Sequence, residues 1–123
     1  MPDLWCDVDT AVTVPVNIAP LVDSTTGATI QQAIVYNFAG LSVQWNFQTA
    51  TAFTSTAVTP TTGGDTDWIE PIANVGMYSI EIPASGWGTI NNNTEGVGWF
   101  TGSATGVLPW RGPTIGFRPR GEQ

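Results

Sequence analysis

Catalysis needs side chains that titrate, ligate or attack near neutral pH, and this sequence holds few of them. It has no histidine and no lysine, ten aspartates and glutamates, three arginines and one cysteine. Without an imidazole, neither a histidine general base nor a Ser-His-Asp or Cys-His nucleophile can be assembled. Cys6 therefore has no histidine to activate it, and a buried or merely tolerated thiol is expected. A lone cysteine also excludes an internal disulfide and the common zinc sites. No Gly-Lys-Ser/Thr follows any strand, so a phosphate-cradling loop is not expected. Carboxylates remain. Asp65, Asp67 and Glu70 crowd one segment and Asp7 and Asp9 another, so a glycosidase-type pair can be drawn from them. Asp65-Thr66-Asp67 also offers oxygens to calcium, but without the glycine and distal glutamate of an EF-hand loop. Acids in loops between strands are usually solvated, which sets the expectation: no enzyme, no cofactor and no metal.

Binding is the better use of what the chain does carry. Six tryptophans occur in 123 residues. Trp45 and Trp99 fall on apolar strand faces and read as core. Trp5, Trp68, Trp87 and Trp110 fall near turns or loops. There they either plug the ends of a small sandwich, pack against neighbouring subunits, or stack on sugar rings. The glycan alternative would use Trp68, Trp87 and Trp110. The only cations, Arg111, Arg118 and Arg120, lie after residue 110 and form the one region suited to an acidic partner. The protein-contact set is thus Trp5, Trp87, Trp110, Arg111, Arg118 and Arg120. A formal net charge of −7 argues against nucleic acid held by phosphate neutralisation and against anionic lipid. No apolar run approaches the ~18 residues of a membrane span. Met1-Pro2-Asp3-Leu4 has neither a basic nor an apolar stretch, so a secretory signal is not expected. Asn92-Asn93-Thr94 spells a glycosylation acceptor that such a context would leave unused.

The elements that must position these residues are strands. Hydrophobic residues make up 41% of the chain and charged ones 11%, about half the usual charged share. A core is affordable, then, beneath a surface of hydroxyls and amides. Thr10 to Ile18 alternates with period two, and Pro15 within it marks an edge strand. Asp23 to Gly27 is a turn. Thr29 to Tyr36 reads as a short strand. Leu41 to Phe47 sets Leu41, Val43, Trp45 and Phe47 against Ser42, Gln44 and Asn46, the signature of a half-buried strand. Phe53 to Thr59 and Trp68-Ile69 follow. In Gly76 to Pro83, Tyr78, Ile80 and Ile82 are expected inward, with Met77, Ser79 and Glu81 outward. Ala84 to Thr94 reads as a long connection. Val97, Trp99 and Thr101 alternate with Gly98 and Phe100. Val107 to Pro113 reads as a proline-bounded loop, and Thr114 to Arg118 as the last strand. Seven or eight short strands between Gly, Pro and Asn turns imply an antiparallel sandwich over residues 10–118. Residues 1–9 are expected to form an arm and 119–123 a loose tail.

Several phrases resemble a known group. GMYSIEIPAS at Gly76 to Ser85, TVPVNIAPLVD at Thr13 to Asp23, the LSVQWNF strand, TAVTPTTGGD at Thr56 to Asp65 and TEGVGWFTGSATGVLPWRGPTIGF at Thr94 to Phe117 are similar to immunoglobulin-like β-sandwich domains of tailed-bacteriophage virion proteins. The resemblance covers roughly residues 8–118 and brings no catalytic motif. Larger relatives continue into further fibre or tail sequence, whereas this chain stops at Gln123. The resemblance implies a structural protein of the virion, assembled in the host cytoplasm: a capsid decoration or a fibre- or tail-associated module. It would bind itself, as a homo-oligomer, and other virion proteins such as the major capsid or tail protein. A tyrosine-corner hydrogen bond from Tyr78 is implied as well.

Overall fold

The computed structural model describes residues 4–7, 14–18, 21–27, 29, 34–61, 66–69, 78–82 and 94–118. Among them are nine strands in two sheets. The strands are β1 (Leu4–Asp7), β2 (Val14–Ile18), β3 (Ser42–Gln48), β4 (Phe53–Val58), β5 (Trp68–Ile69), β6 (Tyr78–Ile82), β7 (Gly96–Ala104), β8 (Val107–Arg111) and β9 (Ile115–Arg118). The large sheet runs β1-β9-β7-β3-β4, with β8 also paired to β7; the small sheet runs β2-β6-β5. The protein is an all-β sandwich. Every pair of strands is antiparallel except β1 with β9, which is parallel.

The core is made by the period-two pattern of each sheet. From the large sheet, Val43, Trp45, Phe100, Ile115 and Phe117 point inward; from the small sheet, Val16, Ile18, Trp68, Tyr78, Ile80 and Ile82 meet them. Trp45 touches Phe100 and Phe117 with ring centres 4.8 and 6.0 Å apart. Glycine makes room for these rings. A Cβ at Gly98 would overlap the Trp45 indole, and one at Gly102 would overlap Trp110. Two glycines of β7 are thus seats for aromatics of neighbouring strands.

A polar clamp closes the small sheet. The indole Nε1–H of Trp68 donates to the Ile34 carbonyl at 2.7 Å, and the Ile34 N–H donates to the Tyr78 hydroxyl at 3.2 Å. Trp68 and Tyr78 stack at 5.3 Å, so the N–H and C=O of one buried residue, Ile34, are held by two stacked rings. The Tyr78 hydroxyl does serve the fold, but across 44 residues rather than at a local corner.

Several expectations are corrected. Ile34 to Tyr36 form no strand; Ile34 is instead the clamped peptide, and residues 30–33 lie outside the described residues. Val107 to Arg111 is strand β8, not a loop. Pro109 is tolerated there because the register slips between Gly102 and Ala104, leaving a bulge where no ladder donor is required. Leu4 to Asp7, expected in an arm, pairs with β9. Ser79 is buried although its phase is outward, while its register neighbours on that face, Asn17 and Ile69, are exposed. Pro15 does sit on an edge strand: among the described strands, β2 pairs with β6 alone. Asp23 to Gly27 is a turn as expected: Asp23 Oδ1 accepts from Thr25 N, its carbonyl accepts from Gly27 N, and Gly27 takes a φ of 69°. The Ala84 to Asn93 part of the long connection and the 119–123 tail lie outside the described residues.

Candidate interaction face

The outer face of the large sheet gathers exposed aromatics and arginines. Register fixes the arrangement. Trp5 of β1 lies opposite Gly116 of β9, which lies opposite Val97 of β7, then Gln48 of β3 and Phe53 of β4. One row of residues thus crosses the sheet from edge to edge. At ~4.8 Å per strand it spans about 19 Å. The next row along holds Trp99, Asn46 and Ser55, and the one after it Arg111, Thr101, Gln44 and Ala57.

Trp5 is 50% exposed and Phe53 is 56% exposed; Trp99 is half-buried between them. Phe53 and Trp99 approach to 6.0 Å between ring centres. The Arg111 guanidinium lies 4.8 Å from the Trp99 ring centre, and that of Arg118 lies 5.8 Å from the Trp5 ring centre. Each described cation of the chain therefore sits over a tryptophan, within the range of a cation–π contact. Arg111 is held in place by its Nη1–H to the Gly112 carbonyl at 3.1 Å and its Nη2–H to Thr114 Oγ1 at 2.9 Å. Asn46, almost fully buried, anchors the middle of the face: its Nδ2 donates to Thr101 Oγ1 at 3.0 Å and to the Trp99 carbonyl at 3.3 Å. Beside this stripe is an open groove of about 520 Å³ lined by Ser42, Gln44, Thr101, Ser103, Pro109 and Arg111.

The expected contact residues divide. Trp5, Arg111 and Arg118 come together on this face. Trp110 turns to the inner side, half-buried over Gly102 and 5.8 Å from Trp68. Its Nε1–H is buried and finds no acceptor among the described residues. Trp87 and Arg120 lie outside the described residues. The glycan-contact expectation is corrected at Trp68: it is 3% exposed, with its indole N–H already used within the fold, and no sugar can stack on it. Trp99 is corrected in the opposite direction, from core to the outer face, with Phe100 inside. The signal for this was available in Gly98 and Gly102: they share a phase with Phe100, and the large rings of neighbouring strands need that phase empty. Phe53 escaped notice because β4 has almost no apolar alternation.

Of the two acidic groups, Asp67 alone is described with its side chain; Asp65, Glu70 and Asp9 lie outside the described residues. Among those described, no three His, Cys, Asp or Glu side chains converge as metal ligands. Cys6 is buried. No helix among the described residues is long and apolar enough to cross a membrane. The class defined is an all-β sandwich with an aromatic and arginine-bearing outer face. No known family model matches the chain, and no curated protein or solved structure is significantly similar to it.

Proposed function

We propose that this chain is a non-enzymatic structural protein of a tailed-phage virion, a capsid decoration or a fibre- or tail-associated module, that docks on a partner protein through the outer face of its large sheet. The observation carrying the proposal is the outer-face set of exposed Trp5 and Phe53 and half-buried Trp99, with Arg111 and Arg118 stacked on the two indoles. Trp and Arg are the residues that dominate protein–protein binding energy, and their pairing here holds large side chains in fixed positions before any partner arrives. The two arginines also stand out in a chain of net charge −7, which suits a partner surface bearing carboxylates. The phrases similar to phage virion domains supply the setting.

The test is particle association. In a caesium chloride gradient of the phage whose genome carries the gene, the chain should band with intact particles. A Trp5→Ala, Trp99→Ala variant should remain folded and stay at the top of the gradient. Absence of the native chain from the particle band overturns the virion reading. A double variant that bands normally overturns the face.

A further inference from the structure

From the same sheet we infer that the free edge of β4 is a self-pairing element, which joins two copies of this chain edge to edge about a two-fold axis centred on Ser55. The inference rests on the protein–protein reading above and names one partner within it, a second copy.

An antiparallel hairpin exchanges hydrogen bonds at alternate residue pairs. In the β3–β4 hairpin the Thr49 N–H donates to the Ala52 carbonyl at 2.8 Å, and the register pairs Gln48 with Phe53. The bonded pairs are therefore Phe47–Thr54, Trp45–Thr56 and Val43–Val58. Phe53, Ser55 and Ala57 turn their N–H and C=O groups away from β3. Beyond Val58 the outward side is closed: the Thr59 carbonyl accepts from Thr66 Oγ1 at 2.8 Å, and Thr61 pairs with the Thr66 to Trp68 segment. The opening is thus limited to Phe53–Ala57, all five of which are exposed. No described strand pairs there.

Sheet edges are usually guarded by charge, proline, shortness or a covering segment. The other described edges have such guards. β2 contains Pro15, β5 has two residues, β1 has four and ends on Asp7, and β8 contains Pro109 and is covered by Val22 and Asp23. β4 has six residues, no charge and no proline. Its sequence is also self-complementary. With Ser55 opposite its own copy, Phe53 falls opposite Ala57, and Thr54 opposite Thr56. Large meets small on the outer face, and hydroxyl meets hydroxyl on the other. Three residue pairs then exchange two bonds each, and no like charges meet in an otherwise acidic chain. The interface is isologous, so it closes at two copies. It also makes the two outer faces continuous, doubling the docking surface.

Sedimentation equilibrium up to about 1 mM protein reads the result. The native chain should pass from 13.0 kDa to twice that mass. Ser55→Lys and Ser55→Glu each place like charges face to face, and each should weaken dimerisation by at least about tenfold. Ser55 is exposed, so both variants should melt like the native chain. Mixing the two should restore a dimer as a Lys–Glu heterodimer. A native chain that stays at 13.0 kDa overturns the pairing, and so does a dimer indifferent to both substitutions. A monomeric chain that still bands with particles overturns the pairing alone and leaves the virion reading standing.

Discussion

Replacing Trp68 with phenylalanine should cost far more stability than a tryptophan-to-phenylalanine change on the outer face of the large sheet. Trp68 is 3% exposed, stacked on Tyr78 and tilted against Trp110 at 5.8 Å. Phenylalanine keeps one ring but loses the indole N–H that reaches the Ile34 carbonyl at 2.7 Å. Removing the donor of a buried carbonyl costs about 1–3 kcal/mol. The smaller ring leaves a gap beside Tyr78 that adds about 1 kcal/mol. The sum is about 3 kcal/mol. With an unfolding entropy of roughly 2.1 cal/mol/K per residue over 123 residues, each kcal/mol lowers Tm by about 4 °C. Trp68→Phe should therefore melt about 12 °C below the native chain by near- and far-UV circular dichroism. Trp5→Phe, on an exposed site with no N–H bond to lose, should melt within about 2 °C. A Trp68→Phe variant within about 3 °C of the native chain would refute the claim that the Ile34 peptide clamp holds the small sheet together.

Other substitutions separate fold from surface. Gly98→Ala drives a methyl into the Trp45 indole, which is 3% exposed and cannot swing away; a loss of about 3 kcal/mol is expected, and an unchanged melting temperature would show that Trp45 does not lie over Gly98. Thr66→Ala removes the hydroxyl that satisfies the Thr59 carbonyl and should cost about 1–2 kcal/mol in urea unfolding, while Thr66→Ser should restore most of it. Arg111→Ala loses a cation–π contact at an exposed site, worth about 0.5–1 kcal/mol; a Tm drop beyond about 8 °C would mean that Arg111 supports the fold rather than the face.

Strand content was legible because period-two alternation is a local signal. Leu41 to Phe47 read correctly to within one residue, and Tyr78, Ile80 and Ile82 are all inside. What escaped depended on partners distant in sequence. Thr29 to Tyr36 has strand-like residues, yet the Ile34 peptide bonds to Trp68 and Tyr78 instead of to a ladder. Pro109 suggested a loop, but the bulge opposite it is a property of β7 pairing and is invisible in the Leu108-Pro109-Trp110 triplet. The face of Trp99 could not be settled by apolarity, since Val97, Trp99 and Phe100 are apolar on both phases. The glycines decide it only once strands β3 and β8 are known to be the neighbours. Loop position was also a poor guide for tryptophan. Trp68 begins a two-residue strand and is core, whereas Trp5 near the N-terminus lies on the open face.

The proposed docking gives the exposed aromatics a use that the fold does not. The core has its own aromatic set in Trp45, Phe47, Phe100 and Phe117, joined by ring contacts of 4.8–6.4 Å. That set does not involve Trp5, Trp99 or Phe53, which are separated from it by the sheet itself. A chain selected for stability alone gains little from leaving two large rings half or more exposed on one face, where their apolar area remains in water. It gains less from placing arginines over tryptophans at the surface, where each such contact is worth about 0.5–1 kcal/mol. Once a partner excludes water, the same contacts strengthen to about 2 kcal/mol or more. In the proposed complex the arrangement would therefore contribute more stability than it does in the monomer, and that difference is what a docking face requires.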